Sequence, residues 1–151
     1  MQIRKQRGSA LAELALSMGL LVALVFGITE FGRAIYQYDT IAKAARDAAR
    51  YLSTQSPGNA TAIGDATCLA VYGNPSCTGN PLVPGLATGM VGICDASNCP
   101  ANQAQGSAPV MNLVTLTIGG GNDPFVFTSV VPFVVPNIPF GAISVTMRQV
   151  L

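Results

Sequence analysis

Residues 8–28 read G-S-A-L-A-E-L-A-L-S-M-G-L-L-V-A-L-V-F-G-I, an apolar run whose one charge is Glu13. Carried on to Thr29 as a helix rising about 1.5 Å per residue, the stretch from Ser9 spans roughly 30 Å, the hydrocarbon thickness of a bilayer. It is a membrane-spanning candidate. Arg4, Lys5 and Arg7 precede it, which predicts that end in the cytoplasm and everything after Thr29 outside. A removable signal peptide shares the basic start and the apolar core. Here, however, the apolar run passes straight into T-E-F-G-R-A-I-Y (29–36), with charges at Glu30 and Arg33 and no convincing small-x-small cleavage site. The arrangement describes a precursor cut before its apolar segment, so that the segment is kept.

The helical pattern does not stop at the membrane. Phe31, Ile35, Tyr38, Ile41, Ala42, Ala45, Ala48, Ala49 and Leu52 recur at the spacing of one helix face, and Asp39, Lys43 and Asp47 form opposite-charge i, i+4 steps. S-T-Q-S-P-G at 53–58 supplies the stop. One helix of roughly 65 Å is expected from about residue 9 to about residue 53, half in the membrane and half projecting outward. Its apolar outer face is expected to pack on the rest of the chain.

Two features of the membrane half point beyond anchoring. Ala15, Gly19, Ala23 and Gly27 fall at successive i+4 steps, a ridge of small residues of the kind that lets apolar helices approach closely, although glycine and alanine are common in membrane helices anyway. Glu13 is costly, since an ionised carboxylate at the centre of such a helix is worth about +2.5 to +3.5 kcal/mol even on insertion scales. Snorkelling to the interface or the positive helix end would ease it. A cut after Gly8 would do more, because it gives Ser9 a free α-amine of unperturbed pKa about 7.7 to 8.0, and a neighbouring subunit's amine would then neutralise Glu13.

The leader ending in glycine, the glutamate at the fifth position after it and the apolar helix together resemble the prepilin processing motif of type IV pilins and their relatives. F-G-I-T-E-F-G-R-A-I-Y (26–36) and A-A-R-D-A-A-R-Y (44–51) narrow this to a resemblance to the TadE-like family, small pilin-like proteins of the tight adherence (Tad, Flp) pilus machinery. V-T-L-T-I (114–118), P-F-V-V-P-N-I-P-F-G (132–141) and I-S-V-T-M-R (143–148) resemble that family's strand, proline-rich turn and final strand. The resemblance implies cleavage between Gly8 and Ser9 by a membrane prepilin peptidase, with Glu13 as the recognition and assembly carboxylate. It implies a minor pilin or pseudopilin whose partners are other pilin subunits, the assembly platform and the membrane. The protein would reside in the inner membrane before assembly, and then in a surface pilus or periplasmic pseudopilus. Removing the leader would take the formal charge from +1 to −2, since three of the eight basic residues go and all seven acidic ones stay.

The middle of the chain, 54–109, is rich in Gly, Pro, Asn, Ser and Thr without a sustained period, and reads as loops. So long a structureless stretch needs ties, and Cys68, Cys77, Cys94 and Cys99 lie on the predicted outer side where disulfides form. Four cysteines allow three connectivities, of which we favour Cys68 with Cys77 and Cys94 with Cys99. A closed loop of about 15 residues contributes roughly 3 kcal/mol and shorter ones less. Zinc is the competing reading, disfavoured by the lack of histidine and of any C-x-x-C pair. The Asn59-Ala60-Thr61 sequon is adequately explained by chance.

From 110 onward, V-M-N-L-V-T-L-T-I (110–118), F-V-F-T-S-V-V (125–131) and A-I-S-V-T-M (142–147) have the branched residues and partial alternation of strands. G-G-G-N-D-P (119–124) is expected to be a hairpin connection between the first two, since no lysine or Walker spacing supports a phosphate loop. Pro132, Pro136 and Pro139 exclude a central strand and point to an edge or crossover. The expected chain is α+β, with a basic leader (1–8), a transmembrane and assembly helix (9–30), and an amphipathic continuation (31–53). A loop-rich cysteine region (54–109) and a β-rich part (110–151) complete the head, which forms a small antiparallel sheet on the outer half of the helix.

Composition narrows the function. With 151 residues the chain has room for one domain and an appended helix, and a net charge of +1 gives no reason to expect nucleic acid. No histidine is present, and the head offers only Asp65, Asp95, Asp123 and Arg148 as charges, so no enzyme activity, metal or cofactor is expected. Asp65 and Asp95 read as solvated turn residues. The competing class is a permanently anchored extracytoplasmic binding module whose helix is only a tether.

Overall fold

The computed structural model describes residues 3–103, 111–121 and 123–149, with side chains from Ser9 onward. The basic side chains of the leader, the expected boundary near 109–110 and Asn122 of the glycine-rich turn lie outside the described residues.

The first helix, α1 (Ile3–Ser53), runs without interruption from before Gly8 to the predicted stop. Its outer half forms one side of the core: Ile41, Ala42, Ala45, Ala48, Ala49 and Leu52 are buried. Alanines on this face let neighbouring elements come close, and the first of these is a second helix, α2 (Ala60–Tyr72), in the stretch expected as loops. Asn59, the first residue of the apparent sequon, is its N-cap and accepts from the Thr61 and Ala62 amides at 3.1 and 3.2 Å. At the other end Gly73, at φ 73°, adopts the left-handed conformation and returns its N–H to the Leu69 carbonyl. Ala62, Ala66, Ala70 and Val71 give α2 its buried side.

A three-stranded antiparallel sheet closes the core, ordered β1 (Val91–Cys94), β2 (Asn112–Ile118), β5 (Ile143–Gln149). Val114, Leu116 and Ile118 of the central strand point inward opposite Met147, Val145 and Ile143. The alternate residues form a hydroxyl ladder on the outer face, with Thr115 to Thr146 at 2.9 Å and Thr117 to Ser144 at 3.1 Å. This is the small antiparallel sheet on the outer half of α1 that the sequence predicts.

The glycine-rich turn does not close the expected hairpin. Gly119, at φ 70°, donates its N–H to Met90 at 3.0 Å, and a Cβ there would lie 3.0 Å from the Phe125 nitrogen, so the chain turns sharply away from the sheet. It enters a separate two-stranded lobe, β3 (Val126–Phe127) with β4 (Ile138–Pro139), before returning as β5. The proline-bearing segment is the turn and edge of that lobe, as prolines require.

Disulfides join Cys68 to Cys77 and Cys94 to Cys99. With separations of 9 and 5 residues, both loops are shorter than the 15-residue case, so other ties must help. Asp95 is one of them. It is not a solvated turn residue but only 2% exposed, taking hydrogen bonds from Ser97 (N–H and hydroxyl) and, across the fold, from the Gly58 amide at 2.8 Å. Asn102 adds another, donating to the Cys94 carbonyl at 2.7 Å. Asp65 is also not in a turn: it lies on α2 and accepts from the Tyr51 hydroxyl of α1 at 3.1 Å. Burial first, and then that carboxylate, push the Tyr51 phenol above its ordinary value.

Burial alone would raise the Asp95 carboxyl, but the hydrogen bonds from Ser97, Gly58 and Asn98 outweigh it and hold its pKa below the usual value. A group depressed in the folded state stabilises fully above its unfolded pKa, about 3.9 for Asp, and that contribution drains as pH falls through the lower folded value. Asp95→Asn is therefore expected to lower the thermal midpoint at pH 7 and to flatten its fall below about pH 4, relative to the parent protein. Parallel acid profiles for the two proteins would contradict this.

Candidate functional site

The surface that the head leaves uncovered is the apolar N-terminal half of α1, which suggests membrane anchoring. The most apolar window of Ser9–Ser53 has a mean hydropathy of 2.3 and none of it is buried. Leu11, Leu14, Leu16, Leu20, Leu21 and Leu24 all stand exposed. Glu13 is exposed on the same helix, one turn beyond Ser9, and at i, i+4 the two share a face. Gly8 lies within α1, so the proposed cut would fall inside continuous helix.

The small-residue ridge is not uniform. Ala15 and Ala23 are exposed, and a Cβ at Gly19 would meet nothing within 4 Å. A Cβ at Gly27 would lie 3.7 Å from the Val134 side chain, so the outer end of the ridge is already used by the chain's own head. Ala23 and Gly27 of the ridge, with Leu20, Leu24, Ile28 and Ile35, line an open groove that continues past Thr29.

Phe31 and Ile35 flank the upper end of this groove, and here the structure corrects the sequence reading. Both were expected in the helix face packed on the head, yet they are 57% and 59% exposed. Tyr38 is half in: its ring meets Phe140 edge-on at 5.5 Å. Of the residues named on that face, burial begins at Ile41; nearer the N-terminus Glu30 and Ala34 are the buried positions, and Ile138 and Phe140 of the β3–β4 lobe only border Phe31 and Ile35 along an open cleft. The exposed apolar surface thus extends beyond Thr29.

At the junction sits a group whose partners the sequence does not reveal. Glu30 is buried, takes the Arg33 guanidinium at 2.7 Å, and accepts the Val130 amide at 3.1 Å from a hundred residues away. Arg33 in turn lies over the Phe127 ring, 5.5 Å from its centroid. The only sequence signal was a charge pair ending the apolar run. Cys68, Cys77, Cys94 and Cys99 are all committed to disulfides within the head and line no part of this surface.

Glu30→Ala leaves the Val130 amide without its acceptor and frees Arg33. Amide exchange at 129–135 is expected to quicken while that of β2 and β5 stays slow. Unchanged exchange at 129–135 would mean that Glu30 does not hold the lobe.

No curated protein matches this chain, and no solved structure matches it. A family model does: residues 8–50 match the one described as TadE-like protein. The match begins at the glycine of the leader and ends three residues before the end of α1, so it covers the bare half and the core-forming half alike. Over residues 8–50, the helix that organises this chain is similar to that of the TadE-like family.

Proposed function

We propose that the protein is a minor pilin or pseudopilin of a Tad/Flp-type pilus, cut after Gly8 by a prepilin peptidase and assembled through α1. The TadE-like match itself suggests a pilus-associated, pilin-like protein, and the long apolar helix suggests membrane anchoring. The observation that carries the finer reading is that one helix is bare along Ser9–Thr29 and core-forming from Ile41 to Leu52. A tether needs apolar cover only within the bilayer. Here the bare groove continues through Phe31 and Ile35 beyond the span, where another subunit's helix would cover it. Glu13 would be neutralised in that assembly by a neighbour's Ser9 amine, which exists only after the cut. In this reading the head has an adherence or secretion role as part of the appendage rather than as a separate receptor.

Mass measurement of the protein from cells that carry the peptidase is expected to give a chain beginning at Ser9. An intact leader in those cells would sink the processed form. Glu13→Ala is expected to reduce incorporation into the pilus without altering the head's thermal midpoint, and normal incorporation would remove the role given to that carboxylate.

A further inference from the structure

The β3–β4 lobe lies along α1 and points toward the membrane. Phe140 meets Tyr38, Phe127 lies under Arg33, the Val130 amide reaches Glu30, and the Val134 side chain lies beside Gly27, 3.7 Å from where its Cβ would stand. From Tyr38 to Gly27 is a descent of about 16 Å along the helix axis. Gly27 is inside the segment read as membrane-spanning, so the tip of the lobe reaches the level of its outer end.

The chemistry of that tip suits lipid. No charged residue occurs between Asp123 and Arg148, and the tip itself reads V-V-P-F-V-V-P, 130–136. Phe133 is 87% exposed and Val130 71%, an aromatic and a branched side chain with no cover from the head. Most of the tip's amides are paired within the chain. The Val131 amide donates to the Ser129 hydroxyl at 3.1 Å, and those of Val134 and Val135 donate to the Val131 carbonyl at 3.0 and 3.1 Å. The Ser129 amide is taken by Asn137 and that of Val130 by Glu30, while Pro132 and Pro136 have none to satisfy. Pairing the amides lowers the cost of placing irregular backbone at the bilayer boundary, where carbonyls still meet water and headgroups.

We propose that the 130–136 tip inserts at the boundary between acyl chains and headgroups of the same bilayer that α1 crosses, as a second membrane contact of the unassembled subunit. The contact rests on the reading of Ser9–Thr29 as the span. It fixes the head's tilt and rotation about α1, so the head stands on a foot instead of swinging on a single helix. Lipid is the occupant because the tip is continuous with the bare helix at the depth where that helix is itself in lipid.

The chain contains no tryptophan, so a single one reports on its own position. Full-length Phe133→Trp is reconstituted in phosphatidylcholine vesicles, with and without bromine on the acyl chains. Leu20→Trp serves as the reference within the span, and Tyr36→Trp, at an exposed site on the outer part of α1, as the reference in water. Phe133→Trp is expected to emit to the blue of Tyr36→Trp and to lose emission in brominated lipid several-fold more than it does. If Leu20→Trp is quenched while Phe133→Trp behaves like Tyr36→Trp, the foot is overturned and the anchor stands. Blue emission that bromine does not quench, and that varies with the protein-to-lipid ratio, would overturn it in favour of a second copy as occupant. If Leu20→Trp is itself unquenched, the anchor fails and the foot fails with it.

Discussion

Every part of this molecule answers to one constraint: α1 is a single unbroken helix whose apolar surface must be covered by different materials along its length. From Ile41 to Leu52 the cover is the head, and the alanines there let α2 and the sheet come close. From Ser9 to Thr29 the head gives almost none. The changeover falls between Gly27, beside the Val134 side chain, and Glu30, whose buried carboxylate captures Val130. A helix exposing so many leucines is stable in lipid or among other helices, and the head is built so as not to compete for that surface.

The head shows how a chain poor in large apolar residues still makes a core. Alanine faces on two helices lower the volume to be filled, and the inward residues of β2 and β5 fill it from one side. The segments between helix and sheet put Val83 and Leu86 into the core and are tied further by two short disulfides, by Asp95 holding the Gly58 turn, and by Asn102 on Cys94. Those ties join the outer half of α1, α2 and the sheet around one core. The β3–β4 lobe is then the only described strand pair outside it, held to α1 mainly through Glu30, Arg33 and the aromatic contacts.

Much of this was legible in the sequence, and the failures have physical causes. α1 declared itself because an apolar run and a three-to-four spacing are local signals, and β2 and β5 because their alternation survives in a half-buried sheet. α2 did not, since T-A-I-G-D-A-T-C-L-A-V-Y mixes glycine and threonine with alanines too small to mark a face. Its cap residues Asn59 and Gly73 were readable and were taken for a sequon and a loop. The glycine-rich turn looked like a hairpin because sequence proximity is the usual guide to strand pairing, whereas β2 pairs with strands on either side of it in the chain. Asp95 reads as a solvated turn residue and Glu30 only as a charge ending the apolar run for a related reason: their deciding partners, Gly58 and Val130, are 37 and 100 residues away. Phe31 and Ile35 belong to the helical period but not to the head, since period says which residues share a face and not what covers it.

The central claim is that the bare half of α1 is an assembly surface and not only an anchor. Its most direct measurement is site-specific photo-cross-linking from Leu24, within the groove, in cells that build the pilus, with the same probe at Thr146 on the outer face of the sheet as a comparison. The account predicts adducts from Leu24 to the N-terminal helix of another pilin-like subunit, and their loss when assembly is blocked. Adducts to lipid alone, unchanged by blocking assembly, would show a tether and contradict it.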